Sequence, residues 1–161
     1  MSRHGPIDRP FLARARRGAA VALSLLVLGL TGLGAASAAG AQDFVVIVHA
    51  DNPQSSLERK FLAKAFLKEV SRWRDDEQIH PVDLGRDSPT RARFSDRVIG
   101  RSVAAVRSYW QQRIFSGRGL PPPELGSDQE VVRFVEGHRG GVGYVSVRAD
   151  LGKTKAVAVG D

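Results

Sequence analysis

The chain has 161 residues, with 24 basic and 17 acidic side chains, a formal charge of +7 and no cysteine. The lack of thiols excludes disulfides, thiolate metal sites, a cysteine nucleophile and a lipid carried on cysteine. Much of the charge sits at the start: beyond Ala41 the count falls to 19 basic and 16 acidic residues, an excess of +3 that makes no case for a nucleic-acid partner.

Arg3, Arg9, Arg14, Arg16 and Arg17 precede an apolar run from Ala19 to Leu33 and a tract of small residues from Gly34 to Ala41. That order is the pattern of a cleaved secretory signal. The run, about 15 residues, is shorter than the roughly 20 that span a bilayer. Cleavage is expected after Ala41. The chain then divides into a signal peptide, 1–41, and one domain, 42–161, long enough to close its own core. The expected location is the periplasm, reached by export.

Phe44 to His49 is a continuous apolar run rich in β-branched residues, as expected of a strand buried on both faces. Ser55 and Glu58 form a capping box predicted to open a helix that buries Leu57, Phe61, Leu62, Ala65 and Phe66. After Trp73 and the acidic turn Asp75-Asp76-Glu77, a second strand is predicted from Ile79 to Leu84. Ser88 is a good N-cap and Pro89 suits the first helical position, so a helix should run to Ile99 and stop at Gly100. Ser102 caps the next helix, with Val103, Val106, Trp110 and Ile114 along one face.

Ser116 to Glu124 is too rich in Gly and Pro for regular structure. Ser127 and Glu130 make a further capping box, opening a helix with Val131, Phe134 and Val135. Strands are predicted at Val142–Val147 and Lys155–Val159. Alternating strands and helices point to a three-layer α/β/α domain with a mostly parallel sheet.

The stretch Pro81–Phe94 (PVDLGRDSPTRARF) puts a strand end, a short turn and a helix start in succession. The first turn of a helix has backbone amides without intrahelical partners and a partial positive charge. Those amides and the hydroxyls of Ser88 and Thr90 could hold a tetrahedral oxyanion. Arg86, Arg91 and Arg93 surround the same end, and Arg86 and Arg91 would supply charge and paired donors. Asp87 has two readings. It could accept the proton that hydrogen phosphate carries and sulfate lacks, or its side chain could bond its own backbone in the turn, which is the favoured reading. His49, His80 and His138 are not spaced as a metal set, and no G-x-S-x-G elbow or P-loop occurs. No cofactor is expected.

Phe66 followed by Trp73, the strand IHPVDL, the helix start DSPTRARF, Tyr109-Trp110 and Gly141–Val145 (GVGYV) together resemble the second lobe of the phosphate-binding proteins of ABC transporters. The resemblance covers nearly the whole of 42–161 and is closest to short, single-lobe proteins of that kind. It implies one lobe of a type II periplasmic binding protein, an inorganic phosphate or related oxyanion as ligand, and a role in phosphate uptake without catalysis. Ser88 and Thr90 match the serine and threonine of the family's ligand loop, and Phe94 matches its aromatic residue. Three positions depart from the pattern. Leu84 stands where the family has a ligand-binding arginine, Pro89 where it has a loop glycine, and Lys68 where it often has glycine. An ABC transporter permease or another envelope protein is the implied partner. The alternative is a periplasmic interaction protein that keeps the lobe without binding a ligand and pairs with another protein or with itself, through an apolar patch near Ser116–Glu124.

Overall fold

The computed structural model describes residues 43–161, so the expected signal peptide lies outside the described residues. The elements, in chain order, are β1 (Val45–Val48), β2 (Ser56–Glu58), α1 (Arg59–Phe66), β3 (His80–Pro81), β4 (Asp83–Leu84), α2 (Pro89–Phe94), α3 (Val103–Phe115), β5 (Glu124–Leu125), α4 (Asp128–Gly137), β6 (Gly141–Val145) and β7 (Lys155–Gly160). A π-helical turn, Ser95–Ile99, continues α2.

The main sheet has the order β2-β7-β1-β6-β3. β2 pairs in parallel with β7 and β3 with β6, while β1 runs antiparallel to both β7 and β6. Four strands therefore point one way and β1 alone is reversed. β4 continues the segment of β3 and pairs in parallel with β5. The sheet is mostly parallel, as expected.

Every residue of β6 is buried, which requires cover on both faces. Successive residues of a strand face opposite sides. A side chain added at Gly143 would meet Val131 and Val135 of α4, whereas the ring of Tyr144 lies against Phe66 of α1 and Phe94 of α2. Helices thus cover both sides, and the core runs from Phe44 to Val157. The described residues, 43–161, lie within one compact unit.

The caps at Ser88, Ser102 and Ser127 all form, each hydroxyl accepting from the amide three residues on. The helix from Ser88 stops at Gly100, whose φ of 69° is the left-handed end that glycine permits. The capping box at Ser55 and Glu58 does not form. Ser56–Glu58 is instead a strand on the β7 edge, with Leu57 buried, and α1 begins at Arg59 without a side-chain cap. Strand pairing satisfies backbone groups that the cap would have left to side chains, so the distant partner overrides the local signal. Ile114, expected on the buried face of α3, is exposed; only Val106 and Trp110 are buried there.

Lys68, one of the three departures from the resemblance, has a φ of 51°. A side chain in that region costs roughly 1–2 kcal/mol, partly offset because glycine gives the unfolded chain more freedom. Lys68→Gly is therefore expected to raise the thermal midpoint by a few degrees, about 4 °C for a gain near 1 kcal/mol. A fall in midpoint by calorimetry would contradict this.

Candidate functional site

β4 and β5 lie side by side, and their ends set the loop Gly85–Ser88. Gly85 donates from its amide to Leu125 O at 2.8 Å, and Ser88 closes the turn by donating to Gly85 O at 2.9 Å. α2 then starts with Pro89, so its first turn offers one amide fewer. The amide of Arg91 is held by Ser88 Oγ at 3.4 Å. Thr90 is buried, 8 % exposed.

Arg91 behaves differently from the expectation. Its side chain is 4 % exposed and its guanidinium is engaged within the protein. It meets Asp83 Oδ2 at 3.0 Å and Glu124 Oε1 at 2.9 Å, and donates to Leu84 O at 2.5 Å. Its Nε is buried without a hydrogen-bond partner. An arginine drawn out of water needs counter-charge, and two carboxylates supply it here. Arg91 therefore ties α2 to β4 and β5 rather than offering a free fork to a ligand. Arg93 also turns away, pairing with Asp43 at 3.7 Å.

Behind Arg91 lies a buried polar cluster that the sequence reading missed. The Tyr144 hydroxyl donates to Asp83 Oδ1 and accepts from the amide of Leu84 at 3.4 Å. Burial raises the Asp83 carboxyl above the ordinary carboxylate range, while the Arg91 charge and the Tyr144 bond pull it back. Burial, and then the Asp83 charge, push the Tyr144 hydroxyl up, so that it stays a donor. The ring of Tyr144 stacks on Phe94 with centroids 3.8 Å apart, which fixes α2 to the sheet. A carboxylate inside the apolar run Ile79–Leu84 was the legible signal, because a charge in a buried strand needs a partner.

Two clefts open beside this cluster. One, of about 370 Å³, is lined by Gly85, Arg86, Asp87, Ser88 and Gly126. The other, of about 280 Å³, is lined by Arg86, Asp87, Arg91, Glu124, Arg107 and the start of α3 at Val103 and Ala104. Arg86 and Asp87 are common to both. Among the described residues the Asp87 carboxylate makes neither the expected bond to its own backbone nor an ion pair, and the backbone amides of Arg86 and Asp87 have no acceptor. The loop thus brings together a guanidinium, a hydroxyl, two amides and a carboxylate. These can bind an oxyanion, and no group of three or more potential metal ligands occurs among the described residues.

A mostly parallel sheet covered by helices on both faces, with a polar loop beyond the strand ends, defines a lobe of the periplasmic-binding-protein type. The chain belongs to the PBP superfamily domain family, whose model matches residues 33–160. Solved structures share the fold at low identity. A putative phosphate ABC transporter substrate-binding protein with bound phosphate from Clostridium perfringens matches with a TM-score of 0.58 at 19% identity, over 73% of this chain and 44% of that one. An ABC-type phosphate transport receptor from Vibrio cholerae gives a TM-score of 0.57 at 19% identity, over 73% and 46%. PstS from Borrelia burgdorferi gives 0.56 at 14% identity, over 73% and 47%. This chain spans less than half the length of each. No curated protein matches it.

Proposed function

We propose that this is an exported, solute-binding-like protein of the periplasm that holds inorganic phosphate or a related oxyanion in connection with phosphate uptake. The observation that carries the reading is that Arg86, Asp87 and Ser88 line one cleft at the strand ends while, among the described residues, the Asp87 carboxylate has no hydrogen-bond or ion-pair partner. In this reading the Arg86 guanidinium supplies charge, and the Ser88 hydroxyl and the amides of Arg86, Asp87 and Thr90 donate to the anion. Asp87 accepts the one proton that hydrogen phosphate carries, so sulfate binds less well. Arg91 sets the shape of the loop from beneath and does not touch the ligand. Binding forms and breaks no covalent bond, so no turnover is expected. An ABC transporter permease or another envelope protein would receive the ligand. The names of the similar structures, which specify phosphate and ABC transport, support this class of ligand.

A single lobe grips weakly, and a dissociation constant on the order of a millimolar is expected. Phosphate at ten times that level would stabilise the fold by about 1.4 kcal/mol, a rise in thermal midpoint of roughly 5 °C. The scan is run against chloride at equal ionic strength. Arg86→Ala/Ser88→Ala should abolish the rise while leaving the ligand-free midpoint nearly unchanged. Equal midpoints in phosphate and chloride would overturn the proposal.

A further inference from the structure

The small net charge hides an uneven distribution. From Arg101 to Pro123 the chain carries four arginines, Arg101, Arg107, Arg113 and Arg118, and no acidic residue. The rest of 42–161 carries 15 basic and 16 acidic residues. This stretch is α3 and the loop after it, and α3 is attached to the body by few side chains. Val106 and Trp110 are buried, and the Tyr109 hydroxyl donates to Leu67 O at 3.1 Å.

The far end of α3 is a basic and apolar tip. Gly117 and Gly119 take positive φ values, 66° and 129°, and turn the chain there. Arg113 donates to Arg118 O at 3.0 Å, bracing the turn. Around it Phe115 is 90 % exposed, Leu120 67 % and Ile114 46 %. The Arg118 side chain makes no ion pair among the described residues.

We propose that this tip docks on an anionic phospholipid surface. Phe115 and Leu120 enter the boundary between headgroups and acyl chains, and Arg118 pairs with lipid phosphates, while Arg113 stays over the Tyr109 and Trp110 rings and holds the turn. Three observations select this occupant. Three apolar side chains cover on the order of 400 Å², about half of the roughly 800 Å² per partner that a stable protein interface takes. Interfacial lipid binding needs less apolar area, because anionic lipid adds its own attraction to basic residues. A second copy of this chain meeting the same tip would set Arg118 against its equivalent, with no acidic residue between Arg101 and Pro123 to separate them. The two arginines of α3 itself, Arg107 and Arg113, lie about 120° apart around the helix rather than on one side, and Arg101 precedes the helix. Contact is therefore tip-first, with Arg107 roughly 12 Å behind Phe115 along the helix, beyond the reach of surface charge in physiological salt.

The test uses residues 39–161, whose core is complete, in co-sedimentation with vesicles of equal parts phosphatidylglycerol and phosphatidylcholine, or of phosphatidylcholine alone. Binding should be at least ten-fold stronger to the anionic vesicles and weaken with salt. Phe115→Ser/Leu120→Ser should lower it about ten-fold or more, and Arg118→Gln about five-fold. Arg107→Gln should change it less than about two-fold. All these positions are exposed, so thermal midpoints should stay level. Millimolar phosphate at constant ionic strength should not compete. Equal binding to both vesicles, no binding to either, as for a tip that meets an acidic protein, or full binding by the Phe115/Leu120 variant would overturn the proposal. So would equal losses at Arg107 and Arg118, which would mean diffuse attraction.

Discussion

Arg91→Met is expected to destabilise the fold by about 3–5 kcal/mol at neutral pH, because it leaves Asp83 buried without its counter-charge. For a domain of this size that lowers the thermal midpoint by roughly 12 °C or more. The effect should depend on pH in a defined sense. The Asp83 carboxyl is already raised by burial, and Arg91 is the largest influence holding it down. Without Arg91 the folded form holds the Asp83 proton more tightly still than the unfolded chain does. Stability from that proton is complete below the ordinary carboxylate range and is lost as pH rises through the folded value. The deficit of the variant should therefore be largest at neutral pH and shrink as pH falls toward about 4. Arg91→Met/Asp83→Asn should recover much of the loss, since it removes the stranded charge. Urea midpoints for both variants across that range check this, and a deficit that does not change with pH would contradict it.

Gly140→Ala carries the second large effect, again of about 3–5 kcal/mol, combining overpacking with lost buried hydrogen bonds. A Cβ there would lie 1.7 Å from Gln78 O and 2.9 Å from its carbonyl carbon, both backbone atoms that cannot rotate aside. Gly140 O also accepts from the His80 amide at 2.9 Å and from Trp73 Nε1 at 3.1 Å. Moving Gly140 away from Gln78 pulls on both bonds, and with them on the entry to β3. Gly137→Ala is the matched control: nothing lies within 4 Å of its added carbon, and alanine suits the end of α4. Its stability should be unchanged or slightly higher. Equal behaviour of the two variants in calorimetric unfolding would refute the steric account.

The fold was legible wherever the deciding interaction is local. Ser88, Ser102 and Ser127 cap helices because their hydroxyls reach amides three residues away, a reach the sequence states outright. Ser55 and Glu58 carry the same signature and fail because β7, a hundred residues later, offers their neighbours a strand partner. Periodicity placed Val106 and Trp110 correctly, but it cannot tell how far along α3 the body extends to cover Ile114. At the site, spacing put Ser88, Arg86 and Asp87 on one loop. It could not say which way the Arg91 guanidinium points. That depends on Asp83, Glu124 and Tyr144, three residues from three separate strands.

Isothermal titration of residues 39–161 with phosphate and with sulfate tests the central claim most directly. The expected result is a saturable isotherm for phosphate, a weaker one for sulfate, and loss of both in Arg86→Ala/Ser88→Ala, with Asp87→Asn removing the preference between the two anions. Heats indistinguishable from dilution for both anions, or isotherms unaltered by those substitutions, would show that the Gly85–Ser88 loop holds no oxyanion.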